Sequence, residues 1–408
     1  MKKFLAFSLI TLFIIGLFFL LYNFFIAKKD ASIQTAENKL ISKKVASANT
    51  APAVDENLEL KKEESSSVPT PEKVTTVNYY VSPTGSDAKD GLTLENSFQT
   101  IQKAIDLAQA GETINLSEGI YLQDFVSKRN GKSDAPIVIK GTKDSIIKGG
   151  GNGRVIEINH DYIILDGFTV DGFYGSSDKA ESYRDKLIYV LGKEKKNGVT
   201  GLRIKNMNIK NAGGECIRLR YFATKNEIVN NLIENCGVED FKFDGDGKNG
   251  EGIYVGTAPE QLKDGKNPTQ DPDQSNENWI HDNVIDTQGN ECVDIKEASS
   301  GNIVEKNKCT GQKDPESAGL DARGSGNTFR NNQIFGCLGA GVRLGGDEKT
   351  DGVNNVVSDN NIYNNKNGGV KVMRSPQVIC GNTITNCDKG ICVGEFAKKF
   401  DPTSKCLL

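Results

Sequence analysis

From Cys216 to Gly394 the chain repeats one short alternation of small, apolar and variable positions. The copies are Cys216–Arg220, Gly252–Gly256, Cys292–Lys296, Gly319–Arg323, Gly341–Gly345, Gly369–Met373 and Gly390–Gly394. Period-2 alternation with one apolar face predicts a strand buried on one side. A second phrase runs between these copies: Asn226–Asn231, Asn278–Asn283, Asn302–Asn307, Asn327–Asn332, Asn355–Asn360 and Gln377–Asn382. Its starts are 52, 24, 25, 28 and 22 residues apart, so the first step is two coils or one coil with a long insertion. Repeats of this length with two or three short strands each predict a parallel β-helix; the leucine framework of a leucine-rich repeat is absent. The aligned Asn231, Asn283, Asn307, Asn332, Asn360 and Asn382 predict a structural ladder of stacked amides.

Upstream, Tyr79–Gly91 reads as a strand entering a turn, with Asp87 and Asp90 as turn residues. Phe98, Ile101, Ala104, Ile105 and Ala108 then follow helical spacing, and Gly111 ends the helix. Such a helix caps the open end of a β-helix. Further back, Phe4–Ala27 is an apolar run of 24 residues broken only by Asn23, long enough to span a bilayer. No Ala-x-Ala-like exit follows it, which favours an uncleaved signal anchor. Residues 28–76 are rich in Ala, Ser, Lys, Glu and Thr without apolar periodicity. The predicted architecture is all-β: a signal anchor or signal peptide over 1–30, a disordered linker over 31–76, and a right-handed single-stranded parallel β-helix with an N-terminal capping helix over 77–408. The body is expected to be extracytoplasmic, membrane-anchored or secreted.

Stacking turns the variable positions into columns. The third position of the strand phrase reads Arg218, Tyr254, Asp294, Asp321, Arg343, Lys371; the fifth reads Arg220, Gly256, Lys296, Arg323, Gly345, Met373. Both columns point away from the core, which predicts a flat outer face with charge on neighbouring coils. The net charge of −4 and the absence of any phosphate loop argue against a nucleic-acid partner. His160 and His281 are the only histidines, and His281, without a partner for a triad, reads as structural or solvent-exposed. Nine cysteines all follow residue 215, which favours an oxidising compartment; Cys309 sits at an inward position, and Cys392 with Cys406 is a candidate staple for the C-terminal end.

The opening YYVSPTGSDAKDGLTLENSFQTIQKAIDLAQAGETINLSEGIY resembles the start of secreted right-handed β-helix polysaccharide lyases of the pectate lyase-like superfamily. The segments LDARGSGNTFRNN and GAGVRLGG resemble rungs of the chondroitinase B and alginate lyase family. The resemblance runs from residue 79 to about 395. It implies a lyase base at Lys296 and an assisting arginine at Arg323. The family's calcium carboxylates have an approximate counterpart in Glu291 and Asp294, but the Glu-x-x-Asp-x-Lys spacing departs from the family pattern.

The columns point to the same patch. Asp294 and Lys296 share one strand face, and Asp321 with Arg323 repeats this on the next coil. A like charge at Arg323 eases deprotonation of Lys296, and a nearby carboxylate works against it. Uronate polymers are cut by β-elimination, in which a base removes the C5 proton while a cation neutralises the sugar carboxylate. The expected roles are Lys296 as base, Arg323 as electrophilic assistant, and Glu291, Asp294 and Asp321 as Ca2+ ligands. Arg218, Arg220, Tyr254, Arg343 and Lys371 would hold an acidic polysaccharide, with Pro259–Asn276 as a groove wall. A second calcium candidate is the loop with Asp244, Asp246 and Glu251. Asp294 and Asp321 could also form a hydrolase-type carboxylate pair. The alternative to an enzyme is a non-catalytic glycan-binding or cell-surface adhesion β-helix whose charges are a solvated ladder of salt bridges.

Overall fold

The computed structural model describes residues 77–406 apart from 176–177 and 246–248. The expected anchor and linker, and Asp246 of the second calcium candidate, lie outside the described residues. Among the described residues, no helix is long and apolar enough to cross a membrane.

Three parallel sheets wrap one apolar core, as the alternation predicts. Sheet 1 has eleven strands, from Asn78–Val81 to Val378–Cys380; sheet 2 has ten, from Gly119–Tyr121 to Thr383–Thr385; sheet 3 has ten, from Phe125–Val126 to Cys392–Val393. Each full coil visits sheet 1, sheet 2 and sheet 3 in turn, so every strand pairs with its counterpart one coil away. The strand phrase forms sheet 3. The asparagine phrase forms a sheet 1 strand and the bend into sheet 2.

That bend has a local cause. Asn230, Asp282, Lys306, Asn331, Asp359 and Gly381 all have φ between 54° and 66°, a left-handed conformation that turns the chain sharply. The next residue is the predicted ladder asparagine. Asn283 Nδ2 donates to Asn307 Oδ1 at 2.9 Å, Asn307 to Asn332 at 3.1 Å, and Asn332 to Asn360 at 3.0 Å. A second ladder starts the same phrase, through Asn226, Asn278, Asn302, Asn327 and Asn355. Both ladders are buried, so these amides satisfy backbone groups that water cannot reach.

The small residue that opens each sheet 3 strand from Cys216 onward is also explained. A Cβ at Gly319 would lie 2.8 Å from Ile334 and 2.9 Å from the Cys337 sulfur. Where this position is cysteine, it is cross-linked: Cys216 to Cys236 and Cys292 to Cys309. The third disulfide joins Cys380 to Cys406, which corrects the expected Cys392–Cys406 staple; Cys392 is free. The turn at Pro402 and Ser404 returns the chain beside Asn382 and Gly381, which brings Cys406 to the sheet 1 strand.

Helix α1, Ile101–Leu107, caps the first coil and buries Ile101, Ala104 and Ile105. Asp87 accepts hydrogen bonds from the Gln99 and Thr100 amides and from the Thr100 hydroxyl. The 52-residue step is a single coil, because Glu227 pairs directly with Trp279. Its extra length forms two insertions flanking the strand Ile253–Val255. One carries helix α2, Val238–Phe243; the other, residues 256–277, follows that strand.

Candidate functional site

The outward columns of sheet 3 are in register, as stacking requires. Tyr189, Arg218, Tyr254, Asp294, Asp321, Arg343 and Lys371 are successive partners. The burial of all but Arg343 and Lys371 corrects the expectation of a flat outer face of exposed charge. Tyr254 and Asp321 are 0% exposed, Asp294 is 1%, and Arg218 and Arg220 are 2%. The 256–277 insertion is one reason. Gln261 Oε1 accepts from Arg218 at 2.6 Å, and Asp264 accepts from Arg220 at 2.7 Å. Arg220 is thereby turned toward the insertion, away from the carboxylates. Lys371 lies at the far edge, 3.6 Å from Glu316.

Beside this column runs another that the alternation does not reveal. Glu215, Glu251 and Glu291 each precede the small residue of a sheet 3 strand, and all three are buried. The Cys216 amide donates to the Glu251 carbonyl and the Gly252 amide to the Glu291 carbonyl, so the glutamates stack one coil apart. One carboxylate oxygen from each of Glu251, Glu291 and Asp294 lies within 4.8 Å of the others. Asp321 faces Asp294 from the next coil.

Cations ring this acidic centre. Lys186 pairs with Glu215 at 2.8 Å, Lys296 with Asp294 at 2.6 Å, and Arg343 with Asp321 at 2.8 Å. Arg218 also pairs with Glu215, and its guanidinium lies 3.9 Å from the Tyr254 ring centroid. Lys296 Nζ lies 4.5 Å from the same centroid. Arg323 reaches Asp321 at 3.5 Å and Glu297 at 3.7 Å.

The balance differs from group to group. Burial works against ionisation of Glu215, but Arg218 and Lys186 hold its carboxyl down to about 2. Burial pushes Glu251 well up, with Glu291 and Glu215 adding to the shift. Burial and the neighbouring Asp294 and Asp321 push Glu291 up to about 7. Burial pushes Glu297 up to about 7 as well. Burial disfavours the Lys296 ammonium, but Asp294 outweighs it and holds the lysine well above its ordinary value. The carboxylate therefore wins the contest over Lys296.

Glu251 Oε2, Asp294 Oδ1 and Asp321 Oδ1 are buried without a hydrogen-bond partner. Unpartnered buried carboxylate oxygens are costly. A hard divalent cation takes oxygen ligands of this kind, so the donor set fits calcium. Glu251 belongs to this cluster rather than to a loop site with Asp244, which is exposed. Glu215, Lys186 and Glu297 escape the sequence reading because they lie outside the alternating phrase. A glutamate before the small residue of three successive sheet 3 strands is the available signal.

Comparison with known proteins fixes the family. A profile described as "Right handed beta helix region" matches residues 188–401, more than half of the chain. The chain belongs to the right-handed β-helix family. This β-helix protein is 30% identical over 139 residues to the uncharacterized protein YwoF of Bacillus subtilis (strain 168), a match covering 30% of this chain and 29% of that one. The match thus spans less than a third of that relative's length. The fold is similar to that of an alginate lyase from Paenibacillus sp. str. FPU-7, with TM-score 0.54, 20% identity, and coverage of 70% and 94% of the two chains. It is also similar to pectate lyase Pel9A, with TM-score 0.54, 14% identity, and coverage of 78% and 79%. At these identities the likeness concerns the fold.

Proposed function

We propose that this β-helix protein cleaves an acidic polysaccharide by calcium-assisted β-elimination. The observation that carries the reading is the buried trio Glu251, Glu291 and Asp294 beside Lys296, with unpartnered oxygens on Glu251 and Asp294. Glu251, Glu291, Asp294 and Asp321 would hold the cation, which when bound supplies neutralisation of the substrate carboxylate. As a ligand, Asp294 would no longer serve as the counter-ion that holds the Lys296 proton, so Lys296 would release that proton to water and be available as a base. Lys296 then takes the C5 proton. The C5–H electrons form the C4–C5 double bond, the C4–O4 bond breaks, and the departing oxygen takes a proton from water. Arg323 and Arg343, beside Asp321, supply positive charge where the substrate carboxylate gains electron density.

The fold shared with an alginate lyase and a pectate lyase supports a polysaccharide substrate. Three disulfides among the described residues support an extracytoplasmic location. The apolar run Phe4–Ala27 supports membrane attachment.

The test is product mass after incubation with uronate polymers and calcium. Elimination leaves an unsaturated end, lighter by one water than the hydrolysis product. Hydrolysis-type masses would replace the lyase reading with the hydrolase one. A second reading, a non-catalytic glycan-binding β-helix, is favoured by the burial of Arg218, Arg220 and Tyr254 beneath the insertion. Glycan binding without any cleavage would establish it.

A further inference from the structure

Two of the disulfides open sheet 3 strands, and each directly follows a glutamate of the buried column. Cys216 follows Glu215, and Cys292 follows Glu291. On later coils the residue before the small position is Ala318, Ala340 or Gly368, and the small residue is a glycine.

Packing does not call for the Cys292–Cys309 bond. In sheet 2, Cys309 pairs in register with Ile285 on one side and Ile334 on the other. On those two coils the isoleucine faces a glycine. A Cβ at Gly252 would lie 2.8 Å from Ile285 Cγ2, and one at Gly319 would lie 2.8 Å from Ile334 Cγ2. Glycine against isoleucine therefore fills this corner on both flanking coils. The Glu291 coil between them replaces the pair with two bonded cysteines.

What sets this coil apart is its acids. Cys292 stands one residue after Glu291 and two before Asp294. One carboxylate oxygen from each of these residues and from Glu251 lies within 4.8 Å of the others, and all three side chains are buried. Like charges this close repel, and a low-dielectric interior strengthens the repulsion. The bond ties the strand, at a point between Glu291 and Asp294, to the sheet 2 strand Lys308–Thr310. Ligands fixed in advance lose less freedom when a cation binds.

We infer that Cys292–Cys309 is the positioning bond of the cation site: it holds Glu291 and Asp294 at ligand spacing against their mutual repulsion. The inference rests on the calcium reading above and adds the element that sets the site's affinity.

The test variant is Cys292→Gly/Cys309→Ile, which rebuilds the pattern of the flanking coils and keeps the corner filled. Calcium alone is titrated calorimetrically into wild type, into this variant, and into Cys380→Ala/Cys406→Ala, which removes the disulfide at the C-terminal end. The first variant should bind roughly ten- to hundredfold more weakly, as when a metal ligand loses its support. The second should bind as wild type does, and far-ultraviolet circular dichroism should be alike in all three. Equal affinity in the first variant, or an equal loss in both, overturns the inference.

A redox titration of wild type gives the answer even if the first variant does not fold. By linkage, a tenfold preference of calcium for the disulfide form makes that bond harder to reduce by about 30 mV. Alkylation and mass spectrometry in dithiothreitol buffers, with and without calcium, read each bond separately. A shift at Cys292–Cys309 and none at Cys380–Cys406 is expected; no shift at the first, or the same shift at both, overturns the inference. The lyase reading fails separately. Wild type that passes both tests yet makes no unsaturated product sinks the lyase and leaves the positioning bond, whereas wild type that binds no calcium sinks both.

Discussion

Lys296 and Asp294, two residues apart on one sheet 3 strand, form a buried ion pair of 2.6 Å in which the second Asp294 oxygen has no partner. One carboxylate thus faces two ways: toward an ammonium on one side and toward Glu251 and Glu291 on the other. Whatever engages Asp294 also sets the protonation of Lys296.

Calcium should stabilise the fold. At a hundred times its dissociation constant, a ligand specific for the native state adds about 2.7 kcal/mol. A rise in melting temperature with calcium, absent in Glu251→Gln and Asp294→Asn, is the expected result. Magnesium should give less, because it demands tighter octahedral geometry.

Without calcium, stability should fall as pH rises from about 5 to about 8. Glu291 and Glu297 are each raised from 4.5 to about 7 in the folded protein. Between those values the native state binds more protons than the unfolded one, so unfolding becomes easier as pH rises. The loss should be on the order of a few kcal/mol. Urea denaturation in chelator across this range measures it, and calcium should flatten the slope.

Asn307→Ala should destabilise the protein by roughly 2–5 kcal/mol, because several buried partners lose their bonds together. The Asn283 amide and side chain both donate to Asn307 Oδ1, and Asn307 Nδ2 donates to the Ile280 carbonyl. Chemical denaturation provides the readout. An exposed asparagine, such as Asn96, should tolerate the same change far better.

Arg220→Ala should loosen the 256–277 insertion without unfolding the coils. Arg220 contacts Asn267 and both oxygens of Asp264. Limited trypsin digestion should cut sooner at Lys263 or Lys266, while far-ultraviolet circular dichroism stays unchanged.

The coils from Cys216 onward are legible in the sequence because each sheet 3 strand there repeats small, apolar, variable, apolar, and because an asparagine follows the left-handed residue at the bends from Asn230 to Gly381. Lys296, Asp294, Asp321 and Arg323 are legible as neighbours for the same reason. The column of Glu215, Glu251 and Glu291 is not, since two insertions make its spacing unequal. Burial of Arg218 and Tyr254 depends on Gln261, a contact across the insertion that periodicity does not encode. The Cys380–Cys406 bond depends on the return path of the C-terminal segment, which no repeat specifies.

The most direct test is formation of unsaturated product, followed by ultraviolet absorbance, on alginate, pectate and glycosaminoglycan polymers. Wild type is run with calcium and with chelator, beside Lys296→Ala. The account predicts product with calcium, none with chelator, and none from the variant. Product that persists in Lys296→Ala, or its absence from wild type on every polymer despite retained glycan binding, would contradict it.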